Sequence, residues 1–322
     1  MIALTFTLRP RTAFATPLLG DTLFGQLCWT LRAGLGEARL AQLLEGYTAG
    51  RPFLVISDAF PAGYLPLPAL PARFWASEAA SAQERKALKQ KTWLPQAALA
   101  TPLETWQSQA VDRRLAGADL CSRPQARNSL NRLTHATGKG DGFSPYTVRQ
   151  YWYGRDALLD LHLRLDESRL SRAEVHAALV ELGSVGFGKD ASVGLGKFDC
   201  DGPTETRLIT HGEPNAWLTL APCAPQGLPW NPRRCFYRPF TRYGRHGDIA
   251  ARSAAPFKSP LLLAATGALL TPAQPDDWAR GWVGQGLGGL GPAGQGTLSR
   301  ALPQTVHQGY APALPVRLPE AA

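Results

Sequence analysis

Ile2, Leu4, Phe6 and Leu8 alternate with Ala3, Thr5, Thr7 and Arg9, the period-two pattern of a strand with one buried face. Past Pro17 and Gly20, Asp21 stands where a helix N-cap belongs. Leu23, Phe24, Leu27, Cys28, Leu31 and Leu35 follow at helical spacing, predicting a helix over about 22–34. Leu159, Leu161, Leu163 and Leu165 alternate strictly with Asp160, His162, Arg164 and Asp166. With Tyr151–Tyr153 and a Gly154-Arg155 turn before them, they predict a hairpin ending in a half-buried strand. Ser171 and Glu174 make a capping box, Val175, Ala178, Leu179 and Leu182 supply the apolar stripe, and Gly183 is the expected stop. A glycine-rich loop over 183–196 leads to a closing strand at Lys197–Cys200. The order is βαββαβ, that of the ferredoxin-like unit and of the RNA-recognition motif.

Between the first helix and the hairpin lies an expected insertion, roughly 50–145, with a proline-rich piece (Pro61–Pro71) and a charged helical piece (Ser77–Lys91). From about 205 the chain turns strand-, Pro- and Gly-rich, with apolar runs at 217–220, 261–270 and 306–318, predicting a second, smaller sheet domain over 205–322 after a first domain over 1–204. The expected fold class is therefore α+β. The apolar run 261–270 is half the length of a membrane span, and the start lacks the flanks of a signal peptide, so a cytoplasmic protein without membrane contact is expected. Five scattered cysteines and six scattered histidines give no disulfide framework and no metal spacing; neither metal nor cofactor is expected.

Charge sharpens the picture. The 322 residues carry 34 Lys and Arg against 25 Asp and Glu, a net +9, and only seven of the 34 are lysine. Residues 113–155 hold eight cations against Asp119 and Asp141, and residues 233–258 hold seven against Asp248. Each segment nets +6, with aromatics interleaved (Tyr146, Tyr151, Trp152, Tyr153; Phe236, Tyr237, Phe240, Tyr243), the combination that holds a nucleic-acid backbone and stacks its bases. Candidate contacts are Lys139 in the first segment and Arg233, Arg234, Arg238 and Arg242 in the second. The glycine loop permits positive torsions and a nest of amide donors for phosphate, adding Gly186, Gly188, Lys189, Ser192, Gly194, Gly196 and Lys197. Gly183–Lys189 spells GxxxxGK, but Asp190 replaces the magnesium-binding hydroxyl and a helix precedes the loop, so nucleotide hydrolysis is not expected. Gly284, Gly286 and Gly289 match a dinucleotide fingerprint by letter without its strand-loop-helix context.

Four segments carry a family resemblance: Gly20–Gly25 (GDTLFG), Ile56–Pro61 (ISDAFP) with Leu65–Pro68, Arg127–Thr134 (RNSLNRLT) followed by Thr137 and Gly138, and the glycine loop before a final strand. In this order they resemble the RAMP superfamily of CRISPR-associated proteins, within it the fourth-subunit family of the type III-A Csm effector; Val306–Tyr310 and Pro315–Val316 resemble that family's closing strand. The resemblance implies tandem ferredoxin-like domains, no catalysis, and a thumb hairpin over about 120–153. It implies a subunit that holds the 5′ repeat-derived handle of the CRISPR RNA, contacts the large polymerase-like subunit and the backbone RAMP subunits, and brings target RNA near the thumb. Family RNA contacts map to Arg127, Asn128, Asn131 and Arg132 and to the glycine loop. Two residues depart from the family pattern: His135, where glycine is expected, and Asp190, an acid among phosphate contacts. Two other functions compete. One is a metal-independent endoribonuclease using His135 with Lys139, or His246 with Arg245, as base and charge stabiliser. The other is a structural module whose basic faces meet acidic proteins.

Overall fold

The computed structural model describes residues 1–76, 81–117, 120–138, 144–290 and 298–320. Along the chain, β1 (Ile2–Pro10) precedes α1 (Gly20–Leu35), α2 (Glu37–Leu44) and β2 (Leu54–Pro61). Next come β3 (Tyr64–Pro66), α3 (Ala82–Gln90), β4 (Trp93–Pro95), α4 (Trp106–Gln109), β5 (Cys121–Arg127) and β6 (Tyr146–Trp152). The first half closes with β7 (Leu159–Leu165), α5 (Arg172–Val185) and β8 (Phe198–Glu205). The second holds β9 (Ala216–Thr219), β10 (Pro239–Arg242), β11 (Leu261–Ala264), β12 (Leu269–Leu270), β13 (Trp282–Gly284), β14 (Leu287–Gly288), β15 (Val306–His307) and β16 (Tyr310–Val316). The architecture is α+β, with several small antiparallel sheets and few helices.

In the first sheet the order is β2-β7-β1-β8. Leu4, Phe6 and Leu8 lie opposite Leu163, Leu161 and Leu159 and form the core with Leu23, Leu27 and Leu31 of α1 and Val175, Leu179 and Leu182 of α5. The Ser171–Glu174 capping box forms as expected. Gly183 does not stop α5, which runs on to Val185; it is a close-approach glycine, since a Cβ there would sit 2.2 Å from the Phe198 carbonyl oxygen. Two assignments shift. Tyr151 and Trp152 belong to β6, which pairs with β5 rather than with β7. The second strand of the sheet is β2, inside the stretch expected as insertion. Buried on both faces, it has no polar alternation to betray it. The second sheet runs β12-β9-β16-β13, and the described residues from 206 onward contain no α-helix.

A bulge joins the two halves. The pairing of β2 with β7 shifts register between Ile56 and Ala59, leaving backbone groups that must find other partners. The Gln308 side chain accepts from the Ile56 N–H at 2.8 Å and donates to its carbonyl at 2.7 Å. The Asp58 N–H donates to the Leu220 carbonyl, and Ser57 Oγ accepts from the His162 N–H. The Asp58 carboxyl accepts from the Gly20 N–H at 2.8 Å and meets Thr266 Oγ1 at 2.5 Å. Beside it, Asp21 is not the N-cap, a place held by Leu19; its buried carboxylate takes a two-point contact from Arg242 at 2.6 and 3.0 Å and lies 3.3 Å from His307 Nε2. Tyr310 closes the seam, donating from its hydroxyl to the Tyr47 carbonyl and packing edge-on against the Tyr47 ring.

The two buried acids behave oppositely. Burial alone would raise Asp21, but the His307 hydrogen bond and the charges of His307 and Arg242 bring it down to about 2. Among the described residues Asp58 makes no ion pair; burial, with the nearby Asp21 charge, raises it to about 7 against its hydrogen bonds from Thr266 and Gly20 and the more distant Arg242 charge. The folded protein thus keeps on Asp58 a proton that an unfolded carboxyl of ordinary pKa 3.8 gives up, so this group's contribution is full below about pH 4 and is lost as pH rises toward 7. Asp58→Asn retains an acceptor for Gly20 and supplies a donor for Thr266. Chemical denaturation at pH 5 and pH 8 is expected to show the wild type losing about 2–3 kcal/mol more than Asp58→Asn over that interval. Parallel pH profiles would disprove the assignment.

Candidate nucleic-acid interface

β5 and β6 pair in full register from Cys121 with Trp152 to Arg127 with Tyr146, and β5 is exposed through Ala126. A lone two-stranded ribbon is marginal in water, so its attachments matter. At its base Tyr151 and Phe14 exchange both backbone hydrogen bonds, at 2.9 and 2.8 Å, and Tyr153 meets the Phe14 ring edge-on. Farther out, Arg127 Nη1 pairs with Asp190 of the glycine loop at 3.0 Å, both side chains about one-fifth exposed. Beyond β5, Asn131 Oδ1 accepts from the amides of Leu133 and Thr134, and a bridge to Ala136 closes the turn. Asn128 and Arg132 are exposed there; Lys139 lies outside the described residues.

The glycine loop is less bare than its composition suggests. The Phe187 amide donates to the Gly196 carbonyl, Gly196 to Ala13, Lys189 to Thr16 Oγ1 and Lys197 to Thr12 Oγ1. Val193 and Leu195 donate to Asp190, and Gly194 to Ala191. Amides expected to cradle phosphate are thereby largely used to fold the loop onto residues 11–16. Gly186 and Gly196 are buried, and a Cβ on them would meet the carbonyl oxygens of Leu195 at 2.5 Å and Phe187 at 2.2 Å. They shape the loop rather than face a ligand. Lys189, Ser192 and Lys197 are exposed, and Gly188 and Gly194 partly so. The loop thus sets exposed side chains beside the hairpin through Arg127 and Asp190. Arg123 and Arg149 are both exposed on the ribbon but project from opposite faces, Arg123 opposite Gln150 and Arg149 opposite Pro124, so each face carries a cation.

The second basic segment divides. Arg233 and Arg238 are exposed, whereas Arg234 donates to the carbonyls of Leu318 and Pro319. Arg242 is committed to Asp21 and stacks over Phe240, which leaves its fork unavailable to phosphate. The His246–Arg245 kit is not assembled, and Lys139, the partner expected for His135, lies outside the described residues. His246 is buried, its Nε2 2.6 Å from Ser299 Oγ, with burial first and then Lys258 pushing its pKa down, and Arg245 donates to the Ala251 carbonyl. His135 is exposed without a described catalytic partner. Among the described residues no group of three His, Cys, Asp or Glu could hold a metal, and no helix is long and apolar enough to cross a membrane.

The open face of the first sheet, where an RNA-recognition motif stacks bases on aromatics, is unsuited to that task. Opposite the helix-covered face lie Thr5, Thr7, Arg9, Asp160, Arg164, Asp199 and Asp201 with the buried His162, a mixed set of charges and hydroxyls without an exposed aromatic ring on the central strands.

Two sets of melts check these roles. Gly196→Ala adds a Cβ at φ 77° into the Phe187 carbonyl and is expected to cost about 2–4 kcal/mol, whereas Gly194→Ala, with open space around it at φ 90°, costs about 1 kcal/mol. Equal losses would refute the packing role. Arg242→Met strands the buried Asp21 carboxylate and is expected to cost about 3 kcal/mol; an unchanged melting temperature would return Arg242 to the surface candidates.

No protein-family model and no curated protein matches this chain. Solved structures do. A chain of the Csm1-Csm4 cassette in complex with pppApA is 17% identical, with 99% of each chain covered and a TM-score of 0.59. A chain of the cassette in complex with cA4 is 18% identical over 99% of each chain at 0.60. A chain of the Csm3-Csm4 subcomplex of the type III-A CRISPR-Cas interference complex is 10% identical, covering 98% of this chain and 99% of that one, at 0.59. Csm4 is the component these assemblies share, and at such identities the likeness is one of fold. The chain has the fold of a Csm4-like RAMP subunit of type III-A CRISPR-Cas.

Proposed function

We propose that this chain is a non-catalytic RNA-binding subunit of a type III CRISPR effector complex that holds the 5′ repeat-derived handle of the CRISPR RNA. It docks the large polymerase-like subunit and the backbone RAMP subunits, and its hairpin lies near target RNA. The observation that carries the reading is the joining of ribbon and loop by Arg127 and Asp190, which brings a ribbon with Arg123 on one face and Arg149 on the other to the loop that exposes Lys189, Ser192 and Lys197. Arginine forks and lysines neutralise phosphates, while Tyr146 and Trp152, 48% and 45% exposed on the ribbon, offer faces for stacking. The open face of the first sheet has no exposed aromatic ring on its central strands for stacking, which favours this surface instead. In the same reading the chain comprises two ferredoxin-like domains, 1–204 and 205–322, the second stripped of helices.

The test is binding of handle RNA by the purified chain. With six or so phosphate contacts, affinity should fall by a factor of about 10³ between 50 and 200 mM salt. Lys189→Glu is expected to weaken binding about tenfold in a protein that melts like the wild type. Repeat RNA should stay intact with wild type and with His135→Ala alike. A salt-insensitive Kd, or cleavage lost in His135→Ala, would defeat the proposal.

A further inference from the structure

A groove of about 1070 Å³ opens between the strip carrying residues 66–71 and 88–93 and the segment 225–239. Its walls include Trp93, Trp230 and Tyr237, with Lys89, Lys91 and Arg238 at their edges. None of these three cations is in an ion pair among the described residues, and the Tyr237 ring is 44% exposed. Asp58 is the one acid in the lining, at the floor, and burial keeps a proton on it up to about pH 7. The groove therefore presents net positive charge and ring surface.

It also connects to the hairpin. Lys91 Nζ donates to the Ser108 carbonyl, and Trp93 and Val111 exchange backbone hydrogen bonds. Past Val111, Asp112 caps the turn that displays Arg113 and Arg114, both exposed, and the chain then enters the ribbon at Cys121. Cations outside any described ion pair, Lys89, Lys91, Arg113 and Arg114, thus run from the groove toward the ribbon along one stretch of chain.

We infer that this groove binds a segment of single-stranded RNA, bases stacked on Tyr237 and the tryptophans and phosphates held by Lys89, Lys91 and Arg238. The inference rests on the RNA-binding reading above and extends it to a second site. The volume exceeds what one small ligand fills, in keeping with more than one nucleotide. Aromatic walls with unpaired cations are the pattern by which proteins hold single strands without reading their sequence.

The experiment is fluorescence anisotropy of the full chain with a labelled single-stranded RNA of about 20 nucleotides, longer than one such site. Lys89→Glu with Arg238→Glu is expected to weaken binding about tenfold with an unchanged melting temperature. Tyr237→Ala should weaken it several-fold and Tyr237→Phe should not, and ultraviolet crosslinks should map to Tyr237 or Trp93. If the groove variants bind like wild type while Lys189→Glu is weakened, the groove is not an RNA site and the handle reading stands. If they bind RNA normally but fail to assemble with neighbouring subunits, the groove belongs to a protein partner and the inference falls. If the wild type binds no RNA at low salt, both readings fail.

Discussion

The structure depends on the bulge in β2. A strand whose pairing breaks over Ile56–Ala59 would bury unsatisfied backbone groups, and each such group costs as much as a lost hydrogen bond. Gln308 from the turn before β16 and Leu220 from the end of β9 take up the backbone of Ile56 and Asp58, Ser57 within the bulge serves His162, and Thr266 from the loop before β12 and Gly20 from the start of α1 meet the Asp58 carboxyl. The approach is so close that a Cβ on Gly20 would lie 2.3 Å from the Ile56 carbonyl oxygen. The two sheets cannot part without exposing the bulge, and the bulge cannot exist without both.

This gives the family motifs a physical meaning. Gly20–Gly25, Ile56–Pro61 and Val306–Tyr310, read from the sequence as signs of kinship, meet at this seam: Gly20 on Asp58, His307 on Asp21, Gln308 on Ile56, Tyr310 on Tyr47. They encode how the halves join, so they identify the fold and do not by themselves mark RNA contacts. Elements whose signal is local were legible: the alternation of β1 and β7, the apolar stripe of α1 and the capping box of α5. β2 was not, because a strand buried on both faces has no period to detect. Nor was the partner of β6, since pairing across the eighteen residues between β5 and β6 is set by tertiary contact. Arg242 illustrates the limit at the site: local charge marks it as surface cation, while the acid that claims it lies 221 positions away.

The two departures from the family pattern share a cause. His135 and Asp190 are the positive-φ residues other than glycine among the described residues, at 50° and 65°. Such torsions suit glycine and are tolerated by Asp and His better than by most side chains. At His135 the left-handed torsion explains why glycine is expected. At Asp190 the same torsion starts the short turn 191–193 and places a carboxylate where Arg127 meets it. An acid among presumed phosphate contacts is thus a fastener, neutralised by the cation it positions.

The placement of rings and charges then limits where a polyanion can lie. The open sheet face sets Asp160 and Asp201 on either side of Thr7, with Asp199 taken by Arg11, and has no exposed aromatic ring on its central strands, so it lacks the stacking platform of an RNA-recognition motif. The loop amides of Gly196, Lys197 and Lys189 are spent on Ala13, Thr12 and Thr16, which narrows the other sequence-independent phosphate cradle. At the ribbon and loop, what meets phosphate is therefore side-chain cation. Recognition by such groups depends on how firmly their scaffold is held, because a long side chain on a mobile ribbon loses entropy that one on an anchored ribbon has already given up. The Tyr151–Phe14 bridge and the Arg127–Asp190 pair supply that anchorage from two points, so that the hairpin presents its arginines as part of the body and not as a free arm.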